Sequence, residues 1–564
     1  MRGASSGKVA DMNRPWQLVL SALVVACAAP AVVGDGRLRD VIDRAVEDAW
    51  KANNVMPAAL STDSEFVRRI YLDLIGVIPT YDEVVVFLDD ADPDKREKLI
   101  ARLLDHPRYG VHQSDVWDMI YFGRNPPGYG TRYRDGFKNW LRDQFNDNVP
   151  YHVWARAILK AEGNTVEHGP PMFFVQYKNA PEDATVAVTR KFLGIQLQCA
   201  RCHDHPFDAW SQRDFYGMAA FLVRLRVVDV GKKGKLKAYA IGEKNSGEVL
   251  FTGPVQQDGV GKQGQPVKPK FLKGALLVEP RLPEDFKEPR DFPSGRMPPK
   301  PRFSRKDRLA DWITSPENPY FARAVANRIW AQFMGKGIVH PVDNLSPANP
   351  PSHPELLDAL TQALIEHEFD LKWFIGEIVN SRAYQLSAVG SGSKEAKPKW
   401  YQRARYRPLS AEELFESWMI ASGFDKVLER SGKARSPIEA TGVGGDRFQV
   451  RGIEWERLLQ SFGRPNDGVG NFQGGLHEHL YLNNGPIRQM ISDRPGSLHQ
   501  SLAKSEASWE ERVERLFLQV LSRRPTSAEI EEFVAFLSAG DDPRGRLHDA
   551  VWTLMTCSEF RFNH

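Results

Sequence analysis

Residues 181–198 read PEDATVAVTRKFLGIQLQ, and this stretch has the features of an amphipathic helix. Pro181 suits a first helical turn, where its missing N–H is not needed. The acidic residues Glu182 and Asp183 suit the positive N-terminal end of the helix dipole. Apolar residues then recur at helical spacing. The stretch predicts a helix over its whole length.

The same helical signals recur along the rest of the chain. In a capping box, a Ser or Thr and an acidic residue three positions later satisfy each other's backbone N–H groups at the start of a helix. Such pairs are Thr80 with Glu83, Ser211 with Asp214, Ser352 with Glu355, Ser410 with Glu413, Ser508 with Glu511 and Thr526 with Glu529. The fold class is therefore predicted to be mainly α.

The composition changes between residues 227 and 304, where Gly, Pro and Lys dominate and short β-like runs occur at 237–241, 248–251 and 270–277. We predict two helical domains, over residues 36–226 and 305–564, joined by a small β-containing, Gly/Pro/Lys-rich insert over 227–304. A chain of 564 residues is long enough for both. A further Gly- and Arg-rich stretch, 431–475, predicts a loop over a cleft.

The N-terminus has the pattern of a secretory signal. Basic residues precede an apolar run over 16–29 that is too short for a comfortable membrane span, and small residues follow. Residues 1–33 are predicted to be a signal peptide, so the protein is expected in the periplasm or at the cell surface. Residues 24–27 also loosely resemble a lipoprotein box, and a lipid anchor at Cys27 would be the only predicted membrane attachment.

Charge argues against one class of partner. The chain has 75 Lys and Arg against 72 Asp and Glu, a net charge of +3, and no basic block stands out. A nucleic-acid surface needs concentrated positive charge, so no nucleic acid partner is predicted. Phosphate-loop, dinucleotide and metalloprotease motifs are also missing from the sequence.

The densest chemical signal is Cys199-Ala200-Arg201-Cys202-His203, which contains two of the four cysteines. The C-x-x-C-H spacing lets two thiols bind the vinyl groups of a haem while the histidine ligates the iron. Export supports this interpretation, because c-type haem is attached outside the bacterial cytoplasm. We predict haem c on Cys199, Cys202 and His203, with a redox or electron-transfer function and redox proteins as partners. Candidates for the sixth iron ligand are His168, Met172, His205 and Met218.

Three other interpretations of the turn 199–210 stay open. It could bind zinc or another metal through the thiols, with His203, His205 and Asp208 as candidate ligands. The two thiols could form a redox-active or structural disulfide. The turn could also carry no cofactor and act as a structural staple in a non-catalytic surface or scaffold protein that binds glycans or protein partners.

Two other polar groups are weaker candidates. Arg323 and Asn327 share a predicted helix face near Trp330 and the stretch 340–343, which suggests an anion or sugar site or, more commonly, a buried ion-pair network. The stretch 477–479 reads HEH, but adjacent alternation on a helix does not put both histidines on one face.

Several longer motifs carry a resemblance to a known family. Residues 66–80 (FVRRIYLDLIGVIPT), 94–99 (DKREKL) and 198–208 (QCARCHDHPFD) match a first domain, and 327–330 (NRIW), 349–356 (NPPSHPEL) and 558–564 (SEFRFNH) match a second. The chain resembles a large family of exported proteins, abundant in planctomycetes, that pair two domains of unknown function.

The resemblance implies which proteins and substrates this protein is associated with, but not which reaction it carries out. The family is named for its association with cytochrome c-like domains, and many relatives carry a separate cytochrome module, whereas the haem-type motif of this chain lies inside the first domain. The family is often linked to the degradation of complex sulfated polysaccharides, which adds polysaccharide to the expected partners. The family's activity is not established, so the resemblance implies no catalytic residue.

Overall fold

The computed structural model describes residues 36–124, 134–234, 236–251, 264–390, 398–431, 458, 461–462, 476–485 and 487–564. The predicted signal peptide 1–33, with Cys27, and most of the predicted loop 431–475 lie outside the described residues. Every helix in the described ranges is too short or too polar to cross a bilayer.

Helices make up most of the described structure. The first ten are α1 (Leu38–Ala52), α2 (Asp63–Ile75), α3 (Tyr81–Asp89), α4 (Lys95–Leu104), α5 (Pro107–Phe122), α6 (Asp135–Asn146), α7 (Tyr151–Lys160), α8 (Met172–Val175), α9 (Pro181–Leu193) and α10 (Gln212–Leu222). Four more follow the insert: α11 (Arg305–Ile313), α12 (Phe321–Met334), α13 (Pro354–Glu366) and α14 (Leu371–Asn380).

The C-terminal part continues the helical architecture. Its helices are α15 (Ala411–Ser422), α16 (Phe424–Arg430), α17 (Leu476–Asn484), α18 (Ile487–Met490), α19 (Leu498–Ala503), α20 (Trp509–Leu521), α21 (Ser527–Ser538), α22 (Pro543–Thr556) and α23 (Ser558–Arg561). The mainly α prediction is confirmed.

The strands form three antiparallel pairs. They are β1 (Leu225–Lys233) with β2 (Leu236–Glu243), β3 (Val249–Phe251) with β4 (Gln265–Val267), and β5 (Arg407–Pro408) with β6 (Phe562–Asn563). The first two pairs lie in the predicted insert, although β1 begins just before it. The run 237–241 lies in β2 and the run 248–251 covers β3, but the run 270–277 contains only a single bridge between Lys270 and Leu276.

Five of the six predicted capping boxes are confirmed, namely those at Thr80, Ser211, Ser410, Ser508 and Thr526. The sixth, Ser352 with Glu355, is wrong. His353 occupies the N-cap position of α13 because Pro354 begins the helix. The Ser352 hydroxyl instead donates to the carbonyl of Ile338 at 3.2 Å.

The predicted helix 181–198 is too long, because α9 ends at Leu193. Gly194 follows with a φ of 67°, the left-handed conformation that glycine adopts readily and that ends a helix. Its carbonyl accepts the N–H of Leu345 at 2.7 Å. Ile195 and Leu197 are buried in the short segment that leads to the cysteines.

The insert is packed on the helices around a buried arginine. Arg305, at the start of α11, is only 2% exposed. Its guanidinium pairs with Glu279 and Glu248 and donates to the carbonyl of Ala220 at 2.9 Å. Arg224 pairs with the same two carboxylates. The insert is therefore held to α10 and α11 through interactions that span the sequence.

Two hydrophobic cores organise the described chain, and they divide it near residue 405. The first core takes side chains from Leu38 to Tyr401 and the second mainly from Leu409 to Phe560. Helices α11–α14 thus pack into the first core, although they follow the insert. The predicted boundaries between the two domains stay predictions. The two hydrophobic cores divide the chain about 100 residues after residue 305, where the second domain was predicted to begin.

Helix α2 joins the two cores. Its residue Leu72 packs in the second core, whereas Phe66, Ile70 and Leu74 pack in the first. Arg68 on the same helix is fully buried and donates to the carbonyl of Phe560 at 2.8 Å. A buried charge without such acceptors would be strongly destabilising. The pairing therefore ties the C-terminal helices to α2.

His353 gives the fold a predicted pH dependence. Burial lowers the pKa of its imidazole to about 4. As the pH falls below the ordinary histidine value, the unfolded chain takes up a proton that the folded chain does not. We expect wild-type protein to lose on the order of 1 kcal/mol more unfolding free energy than His353→Asn between about pH 7 and pH 5, measured by urea denaturation. The same loss in both proteins would contradict the prediction.

Candidate functional site

The cysteine turn lies between α9 and α10. A short 3-10 helix, Gln198–Arg201, contains Cys199, and Cys202 follows at its end. Both thiols are free and exposed. The disulfide that was one of the alternatives for this turn is therefore not formed in this structure, and both cysteines are exposed to solvent.

Hydrogen bonds hold the turn in place from both neighbouring helices. The carbonyl of Arg201 accepts from the hydroxyl of Tyr216 at 2.7 Å and from the side-chain amide of Gln212 at 3.3 Å, both on α10. The guanidinium of Arg201 pairs with Asp183 on α9 at 2.9 Å. The backbone between the two cysteines is thus positioned without a cofactor.

Asp204 and the backbone of His205 shape the second half of the turn. The Asp204 carboxylate accepts the N–H of Gln212 at 2.8 Å and so satisfies a free N–H at the start of α10. The N–H of His205 donates to the carbonyl of Trp210 at 2.7 Å, which closes the loop. These groups have a structural function at the entrance to the helix.

His203 is held in a tautomer that suits metal ligation. Its side chain is exposed, and Nδ1 lies 2.8 Å from the carbonyl oxygen of Asp204. Because a carbonyl can only accept, Nδ1 carries the hydrogen and Nε2 keeps its lone pair. Ligating histidines commonly make this second hydrogen bond, which orients the ring.

His205 and Asp208 lie close to each other, with Nδ1 of His205 3.6 Å from Oδ2 of Asp208. Nδ1 of His205 accepts the backbone N–H groups of Asp208 at 3.0 Å and Phe207 at 3.3 Å. The Asp208 carboxylate accepts the hydroxyl of Ser346, from the segment that follows α12. Across the described ranges, no three His, Cys, Asp or Glu side chains are grouped to hold a metal. The structure brings His205 and Asp208 next to each other, and the assignment of His203, His205 and Asp208 as metal ligands stays a prediction.

The candidates for a sixth ligand lie in contrasting environments. Met172 and Met218 are fully buried in the first core. His168 is exposed, and the ring of His205 is held by the loop backbone. All four residues stay candidates for the predicted sixth iron ligand.

A cleft of about 580 Å³ lies beside the start of α9 and the end of α10. It is lined by residues from α8, α9, α10 and the strands, and its apolar lining includes Phe174, Tyr177, Leu222, Leu225 and Ile241. Glu182 lies on its wall, and the next residue, Asp183, pairs with Arg201 of the cysteine turn. The turn is therefore linked to the wall of a partly apolar cleft through Asp183, although no residue of the turn lines the cleft.

The other polar groups that the sequence suggested make contacts within the protein, where the structure describes them. Asn327 is buried, and its amide bridges Val339 and Val342, including a 2.8 Å bond to the carbonyl of Val339. Arg323 pairs with Asp358. In the stretch 477–479, Glu478 pairs with Arg561 at 2.9 Å, whereas the side chain of residue 477 lies outside the described residues.

A second polar cavity, which the sequence motifs did not predict, lies between α5 and α15. Its volume is about 110 Å³, and its lining includes Asp73, His112, Arg407 and Glu413. Asp73, His112 and the pair Arg407 and Glu413 come from distant parts of the chain, so no local motif predicts that they meet. One sequence signal could have indicated the cavity. Some ionisable residues occupy helix positions that the spacing of the apolar residues predicts to be buried.

Comparison with known protein families identifies two domains in the chain. Residues 41–227 match PSCyt2, described as "Protein of unknown function (DUF1549)", and residues 305–467 match PSD1, described as "Protein of unknown function (DUF1553)". The chain carries both domains. Their order is the predicted one. No curated protein and no solved structure matches the chain.

The two matched regions are interleaved in the fold. The cysteine turn belongs to the DUF1549 region, as predicted, but Ser346 of the DUF1553 region donates to Asp208 in that turn. Helices α11–α14, also in the DUF1553 region, complete the core that supports the turn. The DUF1549 region therefore depends on its neighbour for part of its packing.

Proposed function

We propose that the protein is an exported c-type haem protein with a redox or electron-transfer function. Cys199 and Cys202 attach the haem, and His203 is its axial ligand. The observation that supports this most is the hydrogen bond from Nδ1 of His203 to the carbonyl of Asp204, beside two free, exposed thiols. It leaves Nε2 of His203 available as a ligand.

The residues present fit covalent attachment. Each thiol adds across one vinyl group, with the sulfur bonding to one carbon and the hydrogen passing to the other, so both thiols must be reachable. Both are exposed, and the backbone between them is held by Tyr216 and Asp183. When bound, the haem would supply a carrier for single electrons. The protein supplies the attachment groups and the orientation of His203.

The cleft beside the start of α9 supports the same proposal. A haem is largely apolar and needs contact with apolar surface to be shielded from water. The cleft of about 580 Å³ offers such surface next to the ion pair between Arg201 and Asp183. Zinc is the weaker candidate, since the described residues provide no group of three ligands.

Redox proteins are the proposed partners, and export is part of the same proposal because haem attachment to C-x-x-C-H occurs outside the cytoplasm. A link to polysaccharide degradation is a further part of it, and it rests on the family resemblance alone. The alternative is a cofactor-free surface or scaffold protein that binds glycans or protein partners. The hydrogen bonds that hold the turn without a cofactor are compatible with that alternative.

A visible spectrum tests the proposal. We expect protein purified from a host with c-type haem maturation to show a Soret band and a mass increased by one haem. His203→Ala should shift or abolish the band while the far-ultraviolet circular dichroism stays unchanged, because Nε2 of His203 is the proposed ligand. His479→Ala, at an exposed histidine on α17, is the control and should keep the wild-type spectrum.

Three results would contradict the proposal in whole or in part. The absence of a Soret band, together with the mass of the unmodified chain, would favour the scaffold alternative. Stoichiometric zinc in the same sample would favour a metal site instead. An unchanged spectrum in His203→Ala would show that His203 is not the ligand.

A further inference from the structure

The cavity between α5 and α15 concentrates ionised side chains where the two hydrophobic cores meet. Helix α5 contributes to the first core and α15 to the second. Five carboxylates line the cavity, namely those of Asp73, Asp115, Glu412, Glu413 and Glu416. Clefts between packed units are common places for ligands. The cavity is separate from the cysteine turn, so a ligand bound in it does not depend on the proposed haem function.

Three of these carboxylates are neutralised by partners of their own. Arg124 pairs with Glu412, Lys138 with Asp115 and Arg108 with Glu416. These three pairs together carry no net charge. They form a rigid polar wall, because each pair is largely buried and fixed by its neighbours.

The remaining two carboxylates share one cation. Arg407 donates to Glu413 at 2.8 Å and to Asp73 at 2.9 Å. Tyr384 and Asn563 also donate to Asp73, at 2.8 and 2.7 Å, but both are neutral. The lining therefore has an excess negative charge of one beside Arg407.

Glu413 keeps its negative charge despite being buried. Burial raises its pKa, but the charge and hydrogen bonds of Arg407 outweigh that effect and lower the pKa to about 2. Glu413 is therefore ionised at any ordinary pH.

His112 lines this cavity without a hydrogen-bonding partner for its ring among the residues that the structure describes. It is 8% exposed and lines the cavity from α5. Among the described residues, no hydrogen bond or ion pair involves its ring. Burial lowers the pKa of the imidazole, so the ring is neutral and carries a lone pair. A buried imidazole of this kind is stabilised by a ligand that donates an N–H.

An apolar wall completes the cavity. Ile75, Val116, Met119 and Phe333 line it alongside the charged groups. Gly76 keeps the imidazole close to the backbone of α2, since a Cβ at that position would lie 2.5 Å from Nδ1 of His112. The cavity thus combines one acceptor, one excess negative charge and a short apolar surface.

We propose that this cavity binds a small organic ammonium ion. Its N–H groups donate to His112 and to the carboxylates of Asp73 and Glu413, and its short alkyl part packs on the apolar wall. The volume of about 110 Å³ suits an ammonium group with a few carbon atoms. An anion would be repelled by the excess negative charge beside Arg407, and a neutral alcohol would leave that charge uncompensated.

Calorimetric titration of the full chain with three matched probes tests the proposal. The probes are propylammonium, propan-1-ol and propionate, which share one carbon skeleton and differ in charge. We expect one propylammonium to bind per chain, at least about tenfold more tightly than propan-1-ol, and propionate not to bind. Equal affinity for the three probes, binding of propionate, or no binding of propylammonium would overturn the proposal.

A pair of variants tests the contact with the imidazole. His112→Leu removes the acceptor and is expected to weaken propylammonium binding by about tenfold. His152→Leu, at a half-buried histidine of α7 that does not line the cavity, is the control and should bind as the wild type does. Unchanged affinity in a folded His112→Leu protein would overturn the proposed contact. If that variant does not fold, the comparison of the three probes on wild-type protein still tests whether the cavity binds an ammonium ion.

Discussion

Replacing Arg407 with alanine is expected to lower the free energy of unfolding by about 3–5 kcal/mol, because it leaves two buried carboxylates without their cation. Glu413 and Asp73 each accept hydrogen bonds from this one guanidinium. Both carboxylates are less than a tenth exposed, so water cannot replace the lost partner. Urea denaturation of wild type and variant measures the difference.

A surface arginine provides the matched control. Arg524 also pairs with two carboxylates, Asp89 at 2.9 Å and Glu514 at 3.0 Å, but its side chain is about half exposed. Exposed ion pairs contribute little, so Arg524→Ala is expected to cost about 0–1 kcal/mol. Equal losses in the two variants would show that burial is not what makes the Arg407 contacts important.

Arg407→Lys separates charge from geometry. A lysine keeps the positive charge but lacks the planar fork that serves two carboxylates at once. We expect a stability between those of the wild type and Arg407→Ala. A lysine variant as stable as the wild type would show that charge alone is required.

Replacing both cysteines of the C-x-x-C-H motif is expected to abolish covalent haem attachment completely. A chain with Cys199→Ser and Cys202→Ser, produced in a host that attaches c-type haem, should carry no haem that survives denaturation, because no thiol is left to form a thioether. A haem stain after denaturing electrophoresis and the mass of the intact chain measure this. Each single variant should keep one thioether at most.

The third described cysteine provides the control. Cys557 is half-buried after α22, and its thiol lies 3.2 Å from the carbonyl of Leu554. Cys557→Ser should attach haem as the wild type does. Haem that stays covalently bound in the double variant would contradict the assignment of Cys199 and Cys202.

Local patterns predicted much of the secondary structure. Five capping boxes formed as expected because their contacts join residues only three positions apart. The helix over 181–198 and the strand over 270–277 were less accurate. Gly194 ends the helix early through its left-handed conformation, and a run of β-forming residues needs a partner strand that 270–277 finds at only one position.

The candidate site could be located from the sequence but not constructed from it. The spacing of Cys199, Cys202 and His203 marks the turn, since all three residues are close in the chain. What orients the turn comes from elsewhere: Tyr216 and Asp183 on the flanking helices, and Ser346, which is 138 positions from Asp208. No local pattern reports such contacts.

By itself the sequence determined the helical class, the order of the two domains and the position of the C-x-x-C-H turn, because each depends on residues a few positions apart. Only the tertiary structure decided which helices share a core and where the charged cavity lies. Arg407 meets Asp73 across 334 positions of sequence. The physical reason is that burial and ion pairing depend on which surfaces pack together, and that is settled by the summed contacts of the whole chain.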